Sequence, residues 1–171
     1  MVINTLEEKF AFSLSSIYDA EHQFLEAQQL MLESADSETV KGMLETHIAE
    51  TEQQIVNLTR VHEILGLTPK RVTCDAAEGL VTEGNKILTA TADVPALADL
   101  AINDSNSKVE HFEIATYRGM IAGAQMMGQT EIVRLLTENL SQEEDTALSL
   151  ETAMPALLER AMTTASKSAT S

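Results

Sequence analysis

At 171 residues the chain fits one domain with a core large enough to need no disulfide. Its net charge of −16 repels nucleic acid and anionic membrane surfaces, so neither is expected as a partner. Hydrophobic residues make up 44% and aromatics only 4%, and seven glycines with three prolines leave little material for turns, which together favour an all-helical domain. The single Cys74 has no partner for an intramolecular disulfide and fits a reducing compartment. The N-terminal MVINTLEEKF lacks a signal peptide's apolar run, and no stretch reaches the roughly 18 apolar residues of a membrane span. A cytoplasmic protein is expected.

In chain order, Thr5 with Glu8 has the form of a capping box and opens a first helix running to about Ser34. Its stripe is Leu14, Ile17 or Tyr18, Glu21, Leu25, Gln28 and Leu32, an apolar face interrupted by a glutamate. Ser37 or Asp36 caps a second helix that continues to about Leu65, where Gly66 and Pro69 end it. The middle of that helix is polar, with His47, Thr51 and Gln54 on the stripe and Glu50 one turn from His47. Thr68 to Asp93 is a long connection containing one or two short helices, Asp75 to Glu83 and Asn85 to Thr91, long enough to cross a bundle from end to end. Pro95 starts a third long helix that reaches about Met127, and Gly128 stops it. The fourth begins near Thr130, with Glu143 on its stripe beside Glu144; Pro155 is expected to kink or break it, leaving Ala156 to Met162 as a last turn or two. Residues 1–162 then form a single bundle and residues 163–171 a disordered tail.

The segment SKVEHFEIATYR, Ser107 to Arg118, carries the sharpest anomaly, because Glu110 shares a stripe with Ile114, Tyr117 and Ile121 and Glu113 lies one turn on. An ionised carboxylate facing a core costs several kcal/mol unless a base, a shared proton or a metal compensates it. One such residue is unremarkable. Four long helices each place a glutamate where an apolar residue belongs, namely Glu21, Glu50, Glu110 and Glu143, and His47 adds a nitrogen donor. Short turns join the first and second helices and the third and fourth, with a long crossover between the pairs. That connectivity belongs to bundles whose facing helices supply carboxylates and imidazoles to two metal ions. Cations offset both the mutual repulsion of the acids and their lost hydration. Hard oxygen donors with imidazole suit iron or manganese, and also zinc.

The strings IYDAEHQ (Ile17 to Gln23), HIAETEQQIVNL (His47 to Leu58), CDAAEGLVTEGNKIL (Cys74 to Leu88), VEHFEIATYR (Val109 to Arg118) and LLTENLSQEE (Leu135 to Glu144) resemble the YciE/YciF family of bacterial ferritin-like proteins. The resemblance runs from Leu6 to Leu150. It implies an antiparallel four-helix bundle, a homodimer, a dinuclear metal centre and a link to bacterial stress, and it supplies no substrate. Carried over, Glu21 and Glu110 are ligands, Glu50 and Glu143 candidates to bridge, and His47 and Glu113 the additional donors. The usual Glu-x-x-His is absent at both expected places, where Gln53 and Thr146 stand instead. His22 and His111 point about one residue around from their glutamates and are read as supporting or structural.

Tyr18 and Tyr117 orient a ligand carboxylate, stabilise a radical, or are core tyrosines with satisfied hydroxyls, the commoner case. Phe10 and Phe12 either offer a dimer surface or cover the bundle's end. Two functional classes follow: an oxidoreductase acting on dioxygen or peroxide, or a non-enzymatic dimeric stress protein whose metal is structural.

Overall fold

The computed structural model describes residues 2–168 and consists, over that range, of five helices: α1 (Leu6–Ser34), α2 (Glu38–Ile64), α3 (Asp75–Thr91), α4 (Pro95–Met126) and α5 (Thr130–Ser168). Their ends follow local chemistry. Thr5 Oγ1 accepts from the Glu8 amide at 3.1 Å and Glu8 returns a bond to the Thr5 amide, completing the capping box of α1. Ser37 rather than Asp36 caps α2, accepting from the Val40 amide. Gly66 and Gly128 adopt φ of 68° and 69°, the left-handed conformation that lets the next amide bond back into the last helical turn.

Four helices form the bundle, and every neighbour is antiparallel. The register of α1 against α4 is set by Phe10 beside Gly123, Glu21 beside Tyr117 and Met31 beside Asn106. Gln28 meets His47 and Tyr18 meets Thr59 between α1 and α2, while Asn57 meets Asn139 and Glu50 meets Thr146 between α2 and α5. The fold is therefore an all-α, ferritin-like antiparallel bundle with a helical crossover.

Three sequence expectations change. The crossover is one helix, α3, which passes unbroken through Gly84; a Cβ there would stand 3.3 Å from Met31 Cε and 3.4 Å from Ser105 Oγ, so the glycine allows α3 to press onto α1 and α4. Pro155 does not end α5, because it is exposed and the carbonyl it leaves unbonded, on exposed Glu151, can be hydrated. The helix then runs to Ser168, so the first part of the expected tail is helical and residues 169–171 lie outside the described residues. Arg160 ties this extension down through Asp36 and Asp99. Finally, the buried face of α1 is Leu14, Ile17, Glu21, Phe24, Gln28 and Met31, which leaves Leu25 and Leu32 at its edge.

The apolar core falls into two blocks. One, around Phe10, Leu14, Leu58, Val61, Met120 and Leu136, fills the end where α1 begins. The other, around Met31, Val40, Leu44, Ile102 and Leu157, fills the opposite end. A polar layer separates them. No helix among the described residues is long and apolar enough to cross a membrane.

Candidate metal centre

Each bundle helix turns an acid or imidazole into the layer between the two apolar blocks. On α4 the one-turn spacing of Glu110 and Glu113 puts both carboxylates on the buried face. His47 from α2 and Glu143 from α5 complete a group whose potential ligand atoms all lie within 4.8 Å of one another, every member buried. Glu21, fully buried on α1, adjoins Glu113 and Glu143 on the far side. Glu50 sits at the rim, half buried, with Thr146 Oγ1 donating to its Oε2 at 3.0 Å, and its charge reaches Glu110 and Glu143. All six residues singled out from the sequence are thus at one depth. Glu144 is not among them: it points outward to Arg118 at 2.7 Å.

The layer is short of donors for so many acids. Tyr117 donates its hydroxyl to Glu21 and accepts from Asn139 Nδ2 at 3.0 Å, so this tyrosine does orient a cluster carboxylate. Glu21 Oε2, Glu113 Oε1 and both oxygens of Glu110 and Glu143 are buried without any hydrogen-bond partner among the described residues. His47 Nε2 comes within 3.1 Å of Glu110 Oε1, yet the pair lacks the alignment of a hydrogen bond. Gln28 lies beside both ring nitrogens of His47 and accepts from Thr51, and Gln54 completes the layer.

Protonation follows from this crowding. Burial first, then the neighbouring carboxylates, hold Glu110 and Glu113 well above the usual carboxylate range. Glu21 is also raised, by burial and by Glu143, against the opposing hydrogen bond from Tyr117. Glu143 is pushed up to about 7. Burial lowers His47 to about 4, so at neutral pH it is an uncharged imidazole with a lone pair to offer and cannot serve as a counter-cation. At the rim, burial raises Glu50 despite the bond from Thr146.

The donor set fits divalent cations: anionic oxygens in excess, one neutral imidazole, and orphaned carboxylate oxygens that no side chain satisfies. The other histidines stand apart. His22 bonds the Tyr18 carbonyl and packs on that ring, and His111 is exposed and bonds the Ser107 carbonyl. Thr146, standing where the Glu-x-x-His pattern would put a histidine, instead tethers Glu50. Sequence reading missed Asn139, whose only signal was an amide on the stripe of α5 one turn before Glu143.

The family described as a domain of unknown function, DUF892, matches residues 5–163. Protein YciF of Escherichia coli K12 is 32% identical over 151 residues, covering 88% of this chain and 90% of that one. The chain belongs to the DUF892, YciF-like family. Two solved structures superpose closely on this chain. The crystal structure of the E. coli stress protein YciF matches with a TM-score of 0.86 at 30% identity, over 92% of this chain and 99% of that one. YcfI from Rhodopseudomonas palustris, described as a candidate structural protein, matches with a TM-score of 0.85 at 37% identity, over 88% and 95%. A Xanthomonas campestris protein, 21% identical with a TM-score of 0.69 over 93% of this chain and 97% of that one, shares the fold. The YciF-like relationship agrees with the resemblance read from the five sequence blocks.

Proposed function

We propose that this YciF-like protein is a stress-related ferritin-like protein in which Glu21, His47, Glu50, Glu110, Glu113 and Glu143 hold two divalent metal ions, iron or manganese, and that it acts on dioxygen or peroxide. The observation that carries this reading is the set of buried carboxylate oxygens without a donor, gathered around a neutral imidazole. Bound there, redox-active ions would supply electron exchange with a small oxidant. The protein's own groups supply the setting. Tyr117, itself held by Asn139, keeps Glu21 in place and stays protonated, because burial and then Glu21 raise it well above its ordinary value. The two apolar blocks close off the layer along the bundle axis. Glu50, at the rim and held by one hydroxyl, is the acid with most freedom to change its position.

A second reading is favoured by the description of the R. palustris relative: the same ions only fasten the bundle, and the protein has no turnover. Peroxide consumption by metal-analysed protein separates the two. Turnover that disappears in Glu50→Ala, with the fold retained, supports the enzyme; bound metal without turnover supports the structural role. The homodimer and the cytoplasmic location expected from sequence belong to this proposal too, and sedimentation at micromolar concentration tests the first. Phe10 is in the core beside Gly123, so of the two phenylalanines only Phe12 is exposed to a partner.

A further inference from the structure

A cavity of about 340 Å³ opens between α2, α4 and α5. His47, a member of the acid cluster, forms part of its wall, and so does Thr146, which tethers Glu50. The cavity therefore leads from the surface to the imidazole and to the hydroxyl that holds the rim carboxylate. Its size falls within the range of small-molecule sites, about 300–1,000 Å³, and dioxygen or hydrogen peroxide would fill only a fraction of it. The wall combines aliphatic side chains such as Leu44 and Ile102 with a few neutral polar groups.

Three features specify what fits. Among the described residues no lysine or arginine lines the cavity and Glu38 is its one charged side chain, and the carboxylate cluster lies behind His47, so in the metal-free protein an anion meets no described side chain that neutralises it. Asn103, fully buried in the wall, donates through Nδ2 to the Leu150 carbonyl at 3.2 Å, while its Oδ1 has no donor among the described residues. An orphaned buried acceptor calls for an O–H or N–H from an occupant. Gly42 lies on the wall inside α2, and a Cβ built there meets nothing within 4 Å. The missing side chain keeps the entrance clear.

We propose that this cavity is the substrate chamber of the cluster and takes a small neutral organic molecule with an apolar body and a hydroxyl-type donor, the class of alkyl alcohols and alkyl hydroperoxides. The donor group bonds Asn103 Oδ1, and the body packs on the aliphatic wall beside His47. The assignment rests on the metal-centre reading for its chemistry, and adds to it the size and polarity of what reaches the imidazole.

The test uses 2-phenyl-2-propanol, an unreactive alcohol, titrated into methyl-labelled full-length protein with and without bound zinc, a diamagnetic divalent ion. Saturable shifts are expected at the Val40, Leu44, Ile102 and Leu150 methyls in both forms, with none in the metal-free form from benzoate, an anion of similar size. Gly42→Phe, at a position with open space, should keep the fold and the metal content and weaken the alcohol at least roughly tenfold. Asn103→Leu should weaken it about tenfold, the equivalent of one hydrogen bond. The absence of saturable shifts, or equal affinity in Gly42→Phe, overturns the proposal. So does a Gly42→Phe protein that takes up manganese slowly while wild type ignores the alcohol, since the cavity is then an ion route. Failure of the metal-centre reading shows separately, as protein that binds the alcohol but no metal.

Discussion

The same chain buries acids in two ways. Asp99, fully buried near the start of α4, accepts from the amides of Asp36 and Ser37 at 2.8 and 3.0 Å and from Arg160. Asp19 on α1 accepts from Gln23, from Arg71 at 2.7 Å and from the Cys74 amide at 2.8 Å. Each of these carboxylates meets three donors supplied by the protein. At the centre of the bundle, Glu21, Glu110, Glu113 and Glu143 have one tyrosine and the uncharged His47 among them and, among the described residues, no cationic side chain. The bundle can satisfy a buried acid with its own groups, and at its centre it does not. The difference is the reason to invoke cations there and not at Asp19 or Asp99.

If the two regions differ as described, they respond to different treatments. Among substitutions, the largest effect is expected from Asp99→Ala, which strands two amides and Arg160. It should cost about 3 kcal/mol, the lower end for a broken buried pair because Arg160 is partly exposed. Urea unfolding should give the same loss with and without chelator. Glu110→Gln should reverse sign with metal: chelated protein gains about 2 kcal/mol, because an amide removes one crowded acid, whereas metal-loaded protein becomes less stable than loaded wild type. A loss of equal size in both states would place Glu110 with the protein-satisfied acids.

The pH dependence of chelated protein sharpens the contrast. Glu21, Glu110 and Glu113 are raised well above their ordinary value of about 4.5 and Glu143 to about 7, so above about pH 5 the native state holds protons that the unfolded chain has released. Stability should therefore fall as pH rises from about 5 through 7, by about 1.4 kcal/mol per pH unit for each proton held, and metal should remove the slope. Asp19 runs the other way. Burial raises it, but the bonds from Arg71, Cys74 and Gln23 outweigh that and leave it below its ordinary value, so its contribution is present above about pH 4 and lost below. The smallest effect is expected from Tyr117→Phe, about 1 kcal/mol for the hydroxyl's bonds, visible in the melting temperature of chelated protein.

Much of this was legible in the sequence because it depends on short-range chemistry. Thr5, Pro95, Gly66 and Gly128 act within one turn of themselves, and helical spacing alone places Glu21, Glu110 and Glu143 on inward faces and Glu50 beside them at the rim. What depended on distant contacts was not. Gly84 reads as a helix breaker until Met31 and Ser105 are seen to occupy the space a side chain would need. Pro155 reads as a stop until its carbonyl partner proves exposed and Arg160 is found bonded to residues 61 and 124 positions away. Asp19 and Asp99 gave no signal, because their arginine and backbone donors come from other elements, and Glu143 could be told from Glu144 only once Arg118 was seen to hold the latter.

Metal content tests the central claim most directly. Protein purified without added metal, then loaded with manganese or iron and desalted, should carry two divalent ions per chain by elemental analysis, and a Glu110→Gln, Glu143→Gln double variant that keeps its helical spectrum should carry none. Fewer than one ion in the loaded protein, or the same content in the double variant, would contradict the account.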